Sequence, residues 1–236
     1  MTLHGLLGHT TALSVSVRRD LRLFYDSCDN DAKKMYHQTI ELLLEKGSFQ
    51  RDPLFYPANN PEFITSNDFL DGILSKKRPL AATEIISISF NLKKSIMAKT
   101  LSMAFSQVTQ IKEVRKFLKE SEDVANGQIK ALSKIMQSNN LPVPKSWETE
   151  VTTSTSSPFS DKLMMYHIGF LFQAAQNYHG AGLASAMRTD LAVTYESTIL
   201  KNLMVTKKWF DVMVKLQWLE QPPLAPDREK TAREDS

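Results

Sequence analysis

The chain has 236 residues, 42% of them hydrophobic and 23% charged, the balance of a globular protein able to bury a core. A formal net charge of +3 gives no argument for nucleic acid, whose recognition asks for basic residues gathered on one element. A single cysteine, Cys28, excludes an internal disulfide framework, and only eight glycines disfavour phosphate-cradling loops. The first residues lack a basic n-region and are interrupted by His4 and His9, unlike a signal peptide. No run of about 18 apolar residues offers a membrane span. These features fit a reducing, cytoplasmic setting.

In chain order, residues 1–46 predict the end of one helix and a second helix from about residue 20 to 46. Residues 47–80 carry Pro53, Pro57, Pro61 and Pro79, which predict an extended strap. Its aromatics Phe49, Phe55, Tyr56, Phe63 and Phe69 predict that it packs on the rest of the chain. The basic cluster at 75–79 reads as solvated linker.

From Ala81 to about Val108, Ile85, Ile88, Leu92, Ile96 and Met103 recur mostly three or four apart, predicting a helix. A second helix follows to Ser138, where Pro142 and Pro144 stop it. A Ser/Thr-rich loop leads to a third helix capped by Ser160 or Asp161. Thr189 and Asp190 begin a fourth, running to about Trp218. Helices of this length span about 42–45 Å and suit an antiparallel four-helix bundle over 81–223. The charged tail, 224–236, predicts disorder.

Shifting the N-terminal segment by 170 positions places His9 on His179, Arg18 on Arg188, Asp20 on Asp190 and Tyr25 on Tyr195. The seam Leu21, Tyr25, Cys28, Ala32, Met35, Thr39, Leu42 then falls on Leu191, Tyr195, Thr198, Asn202, Val205, Trp209, Val212. Both follow the alternating four-and-three spacing of a bundle seam. The register predicts a duplication in which residues 1–46 are the C-terminal half of a second bundle. Either the chain is a truncated form of a two-bundle protein, or its leading helix docks elsewhere. On this reading Arg18, Asp20, Tyr25 and Arg188, Asp190, Tyr195 mark the corner between the last two helices, with each Arg at a helix C-terminus.

The phrases NDFLDGILSKKRPL, SPFSDKLMMYH and WLEQPP, with the Arg-x-Asp-Leu-x-x-x-Tyr corner, resemble a ferritin-like helical family of spore-forming Gram-positive bacteria. The likeness runs from about residue 5 to 224. That family is of unknown function, holds two tandem four-helix bundles and is distantly similar to the spore coat protein F family. The resemblance implies an all-α, ferritin-like up-down bundle in a sporulation setting, and no established activity or cofactor.

A di-iron centre in such a bundle needs inward Glu residues and Glu-x-x-His pairs, and no Glu-x-x-His occurs in the chain. No catalytic, cofactor or metal residue is expected. If a core site exists, Glu84, His167 and His179 are the candidates. Cys28 has no base nearby in sequence and reads as a small seam residue. The leading expectation is a structural or interaction protein that associates with protein partners or with itself through an exposed helix 20–46. The alternative is a metal- or small-ligand-binding protein, an oxidoreductase among the options, with its site in the bundle core.

Overall fold

A computed structural model describes residues 2–56, 60, 62–73 and 77–228. Among these residues the chain forms six α-helices and no strand: α1 (Thr2–Val15), α2 (Arg19–Glu45), α3 (Ala82–Val108), α4 (Lys112–Ser138), α5 (Asp161–Ser185) and α6 (Thr189–Lys215). Short 3₁₀ turns occupy Asn67–Phe69 and Glu148–Glu150. The end of the charged tail, 229–236, lies outside the described residues, as do Pro57, Pro61, Ser75 and Lys76.

Helices α3 to α6 form the bundle. Helix α3 lies between α4 and α5, and α6 lies between the same two on the opposite side. Leu191 and Tyr195, early in α6, share one apolar cluster with Ile85, Ile88 and Leu92, early in α3, and with Leu132 and Met136, late in α4. Phe105 and Val108, late in α3, share another with Val114 and Phe117 of α4, Met164 and Ile168 of α5, and Trp209 and Met213 of α6. Every pair of lateral neighbours is therefore antiparallel.

This arrangement requires the α4–α5 connection, 139–160, to travel the length of the bundle. It does so along α3. Leu141 and Val143 pack on the first cluster. Lys99 pairs with Glu148, and the Gln107 amide donates to the Thr152 carbonyl at 3.0 Å. The Phe159 ring meets Phe105 edge-on. Ser160 then caps α5 by accepting from the Leu163 amide.

The stops are local chemistry. Asn140, with φ 56°, takes the left-handed conformation after α4, and the Leu141 amide donates back to the Met136 carbonyl. Gly47 (φ 62°) ends α2 and Gln217 (φ 54°) ends α6 in the same way.

Helix α1 lies along α2 and rests on α5 through buried His4, whose Nδ1 meets the Tyr178 hydroxyl at 2.8 Å. Helix α2 lies outside and is largely exposed. The strap corrects the expectation made from its aromatics. Tyr56 and Phe63 are exposed, and Phe69 lies under the Arg78 guanidinium at 4.0 Å. Polar contacts hold the strap instead: Lys93 donates to Asp52 and to the Gln50 carbonyl, and Ser89 donates to Asp52.

Close approaches at Gly72, Gly169 and Gly182 depend on the missing Cβ. A Cβ on Gly169 of α5 would collide with the Trp209 ring, whose Nε1 donates to the Met165 carbonyl at 2.7 Å. Gly169→Ala is expected to cost about 1–3 kcal/mol by overpacking. Urea unfolding followed through tryptophan fluorescence checks this; an unchanged midpoint would show that the ring shifts freely.

Candidate functional site

Two polar constellations lie inside the bundle. The first is a layer at mid-height, one residue per helix. Ser95 of α3 donates to Gln128 of α4 at 3.0 Å, and Gln128 Nε2 donates to Asn202 Oδ1 of α6. Asn202 Nδ2 lies 3.0 Å from His179 Nδ1 of α5. All four side chains are buried. With Asn202 as donor, the chain runs in one direction and His179 carries its proton on Nε2. Burial lowers the His179 pKa to about 4, so the ring is neutral.

The layer separates the two apolar clusters, because on each helix it falls between residues of one and residues of the other. The cavity beside it, lined by His4, Lys94, Ser95, Gln128, Tyr178 and His179, has a volume of about 10 Å³. That is room for a single water.

The second constellation is the α5–α6 corner. Glu84, in the first turn of α3, is 1% exposed. Its carboxylate accepts both Arg78 NH groups at 2.9 and 3.0 Å, the Ala81 amide at 2.8 Å, and the Met187 and Arg188 amides at 3.1 and 3.0 Å. Burial opposes ionisation, but the hydrogen bonds from Arg78, Ala81 and Arg188 outweigh it and hold the carboxyl below its usual range. Arg188, also 1% exposed, forks onto both oxygens of Asp190 and donates to the Arg78 carbonyl. Lys77 adds an ion pair to Asp190 at 2.9 Å. The Leu70 carbonyl accepts from the Thr189 amide and hydroxyl. The Tyr195 hydroxyl meets Ser87 at 3.0 Å.

Two sequence expectations change here. Arg78 is no solvated linker residue; it is wedged between Glu84 and the Phe69 ring, with its side chain 14% exposed. Arg188 and Arg18 do not sit at a helix C-terminus but immediately precede α6 and α2, where each forks onto the aspartate two residues on. That aspartate lies in the first turn, where a carboxylate suits the dipole.

The three candidate core residues do not converge. Glu84 lies at one end of α3, His179 at mid-bundle, and His167 beside Phe105 near the other end. Along α3 the rise from residue 84 to 105 is about 30 Å. Burial pushes the His167 pKa below its usual value, and among the described residues its buried Nε2 has no partner. Among the described residues, no three His, Cys, Asp or Glu side chains are grouped to hold a metal. The mid-layer supplies a hydroxyl, two amides and one imidazole already engaged through Nδ1. This donor set does not fit a carboxylate-bridged di-iron centre.

Asn202 and Thr198 stand on the predicted seam of the fourth helix, whereas Ser95, Gln128 and Arg78 belong to none of the site expectations. Gln128 was detectable: it stands between Val124 and Leu132 on the α4 stripe, where an apolar residue is due.

These features define an all-α bundle with a neutral polar mid-layer and an ionic corner. The chain matches the family DUF3231, described as a protein of unknown function, over residues 1–60 and 68–231, and it belongs to that family. No curated protein matches it. Among solved structures, it is similar to one described as a "putative spore coat protein" from Bacillus halodurans C-125, at 16% identity and a TM-score of 0.57. That likeness covers 64% of this chain and 98% of the other, and it shows the shared fold.

Buried His179 contributes a pH dependence. Unfolded, His179 takes up a proton below pH 6.5; folded, it stays neutral until about pH 4. Stability from this group is complete above 6.5 and falls as pH drops toward 4, by on the order of 3 kcal/mol. Urea titrations at stepped pH are expected to show this loss, with a shallower slope for His179→Gln. An identical slope in both proteins would contradict it.

Proposed function

We propose that the chain is a non-enzymatic structural protein of a ferritin-like, duplicated architecture, and that it assembles with other proteins through α2. The observation that carries this reading is the difference between matching seams. Leu191 and Val205 of α6 are 1% and 4% exposed, whereas Leu21 and Met35 of α2 are 39% and 56% exposed. Phe24 and Leu42 extend the same exposed apolar face. Such a face is unfavourable in water and marks an interaction surface. The similar solved structure described as a "putative spore coat protein" supports a spore-associated setting. Among the described residues no helix is long and apolar enough to cross a membrane. The second reading, a metal or small ligand in the core, has less support. The polar layer adjoins a void of one-water size, and the candidate ligands lie far apart.

Cys28, alone of its kind and on the α2 seam, provides the test. A photo-crosslinker on Cys28 is expected to capture a defined protein in extracts of sporulating cells. Capture should vanish with Phe24→Glu/Met35→Glu, whose fold is checked by circular dichroism. Capture that persists in the variant, or no capture, would contradict assembly through α2.

A further inference from the structure

Two cavities follow one another along a single face of α3, on the side that carries the strap and the α4–α5 connection. The upper, about 920 Å³, is bounded by Ser89, Lys93 and Thr100, by strap residues between 47 and 53, and by the connection between 142 and 150. The lower, about 560 Å³, is bounded by Thr100, Ala104 and Gln107 and by the connection between 150 and 159. Thr100 and Glu150 line both, so the two are lobes of one trough with a waist at Thr100. Its floor, at 89, 93, 100, 104 and 107, is one helical stripe that rises about 27 Å.

The lobes differ in chemistry. The upper one holds the exposed rings of Phe49 and Trp147 and three cations, Arg51, Lys93 and Lys145, against the single carboxylate of Glu150 at the waist. Asp52 pairs with Lys93 at 2.7 Å, whereas Arg51 and Lys145 form no ion pair among the described residues. The lower lobe is apolar, walled by Leu101, Ala104, Phe105, Val108 and Phe159, and none of its described lining residues is cationic. A nucleic-acid strand does not suit this trough, because its phosphates need positive charge along the whole length.

The walls favour an extended chain. Residues 142–146 and 152–157 form neither helix nor strand, and among the described residues they make no backbone-to-backbone hydrogen bond; the same holds for 50–56 of the strap. Their free amides and carbonyls can pair with a strand laid beside them.

We infer that the trough binds an extended acidic peptide segment of a partner protein. Its Asp or Glu side chains lie in the upper lobe against Arg51 and Lys145, and an aliphatic or aromatic side chain fills the lower lobe. From Lys93 to Ala104 the floor rises about 16 Å, so in a chain advancing about 3.3 Å per residue the acidic and apolar anchors stand about five positions apart. The trough lies on α3 and does not rest on the reading of α2.

The probes are short fluorescein-labelled peptides in which Asp-Asp and Leu-Phe stand about five positions apart through a Ser/Thr spacer, made in both chain directions, and matched peptides with Lys-Lys for Asp-Asp. Titrated into the full chain and followed by anisotropy, the acidic peptide in at least one direction is expected to bind roughly tenfold tighter than its basic match at low salt, a preference that shrinks at high salt. Arg51→Glu/Lys145→Glu, at two exposed positions, should invert the preference. Thr100→Trp should block the waist and abolish binding, with the fold of each variant checked by circular dichroism. A benzophenone in place of the peptide's Phe should label residues 101–108 or 150–159. Equal affinity for acidic and basic peptides, binding of neither, or a preference unchanged by the charge reversal overturns the inference. Labelling confined to α2 overturns it too, while leaving assembly through α2 standing.

Discussion

The rest of the structure depends on one buried carboxylate. Glu84 stands at the start of α3, where three parts of the chain must meet: the end of the strap, the first turn of α3 and the corner between α5 and α6. Its two oxygens accept five hydrogen bonds, from Arg78, Ala81, Met187 and Arg188. An anion this deep is tolerable only when so fully satisfied, and removing one partner would leave the others stranded. The guanidinium of Arg78 faces Glu84 while its carbonyl accepts from Arg188, so the two arginines and the two carboxylates form one connected cluster. Helix α6 therefore starts where α3 starts, and the direction of the bundle is set.

The mid-layer complements this. A core of leucine, isoleucine and methionine alone permits helices to slide by a turn at modest cost. Ser95, Gln128, Asn202 and His179 allow one alignment, because any shift leaves buried donors and acceptors unpaired. The corner fixes one end of the bundle and the layer fixes its middle. His179 Nδ1 is taken by Asn202, so all four side chains of the layer are engaged in holding the helices in register.

Much of this was legible in the sequence, for identifiable reasons. The four long helices follow from apolar spacing at three and four, and the ends near Ser138 and Ser160 follow from proline placement and a hydroxyl cap. Asn202 was recognisable as a polar residue on an apolar seam. What escaped has a common cause: its meaning lies in distant partners. Arg78 sits among Lys77 and Pro79 and reads as linker until the 187–188 backbone arrives from over 100 residues away. The strap aromatics mislead in the opposite direction, since Tyr56 and Phe63 carry the composition of a packed segment without a surface to pack on. Glu84, His167 and His179 look alike as core polar residues, yet they occupy two ends and the middle of the bundle.

The Arg-x-Asp-Leu-x-x-x-Tyr phrase thus has two environments, one closed by Glu84 and the strap, one open. Native-state hydrogen exchange on the isolated protein compares them within a single molecule. The amides of Met187 and Arg188 are expected to be strongly protected, and those of Val17 and Arg18 to exchange at nearly the rate of an unstructured chain. Equal protection at both corners would contradict the account, since it would mean that the first corner is already closed or that Glu84 does not close the second.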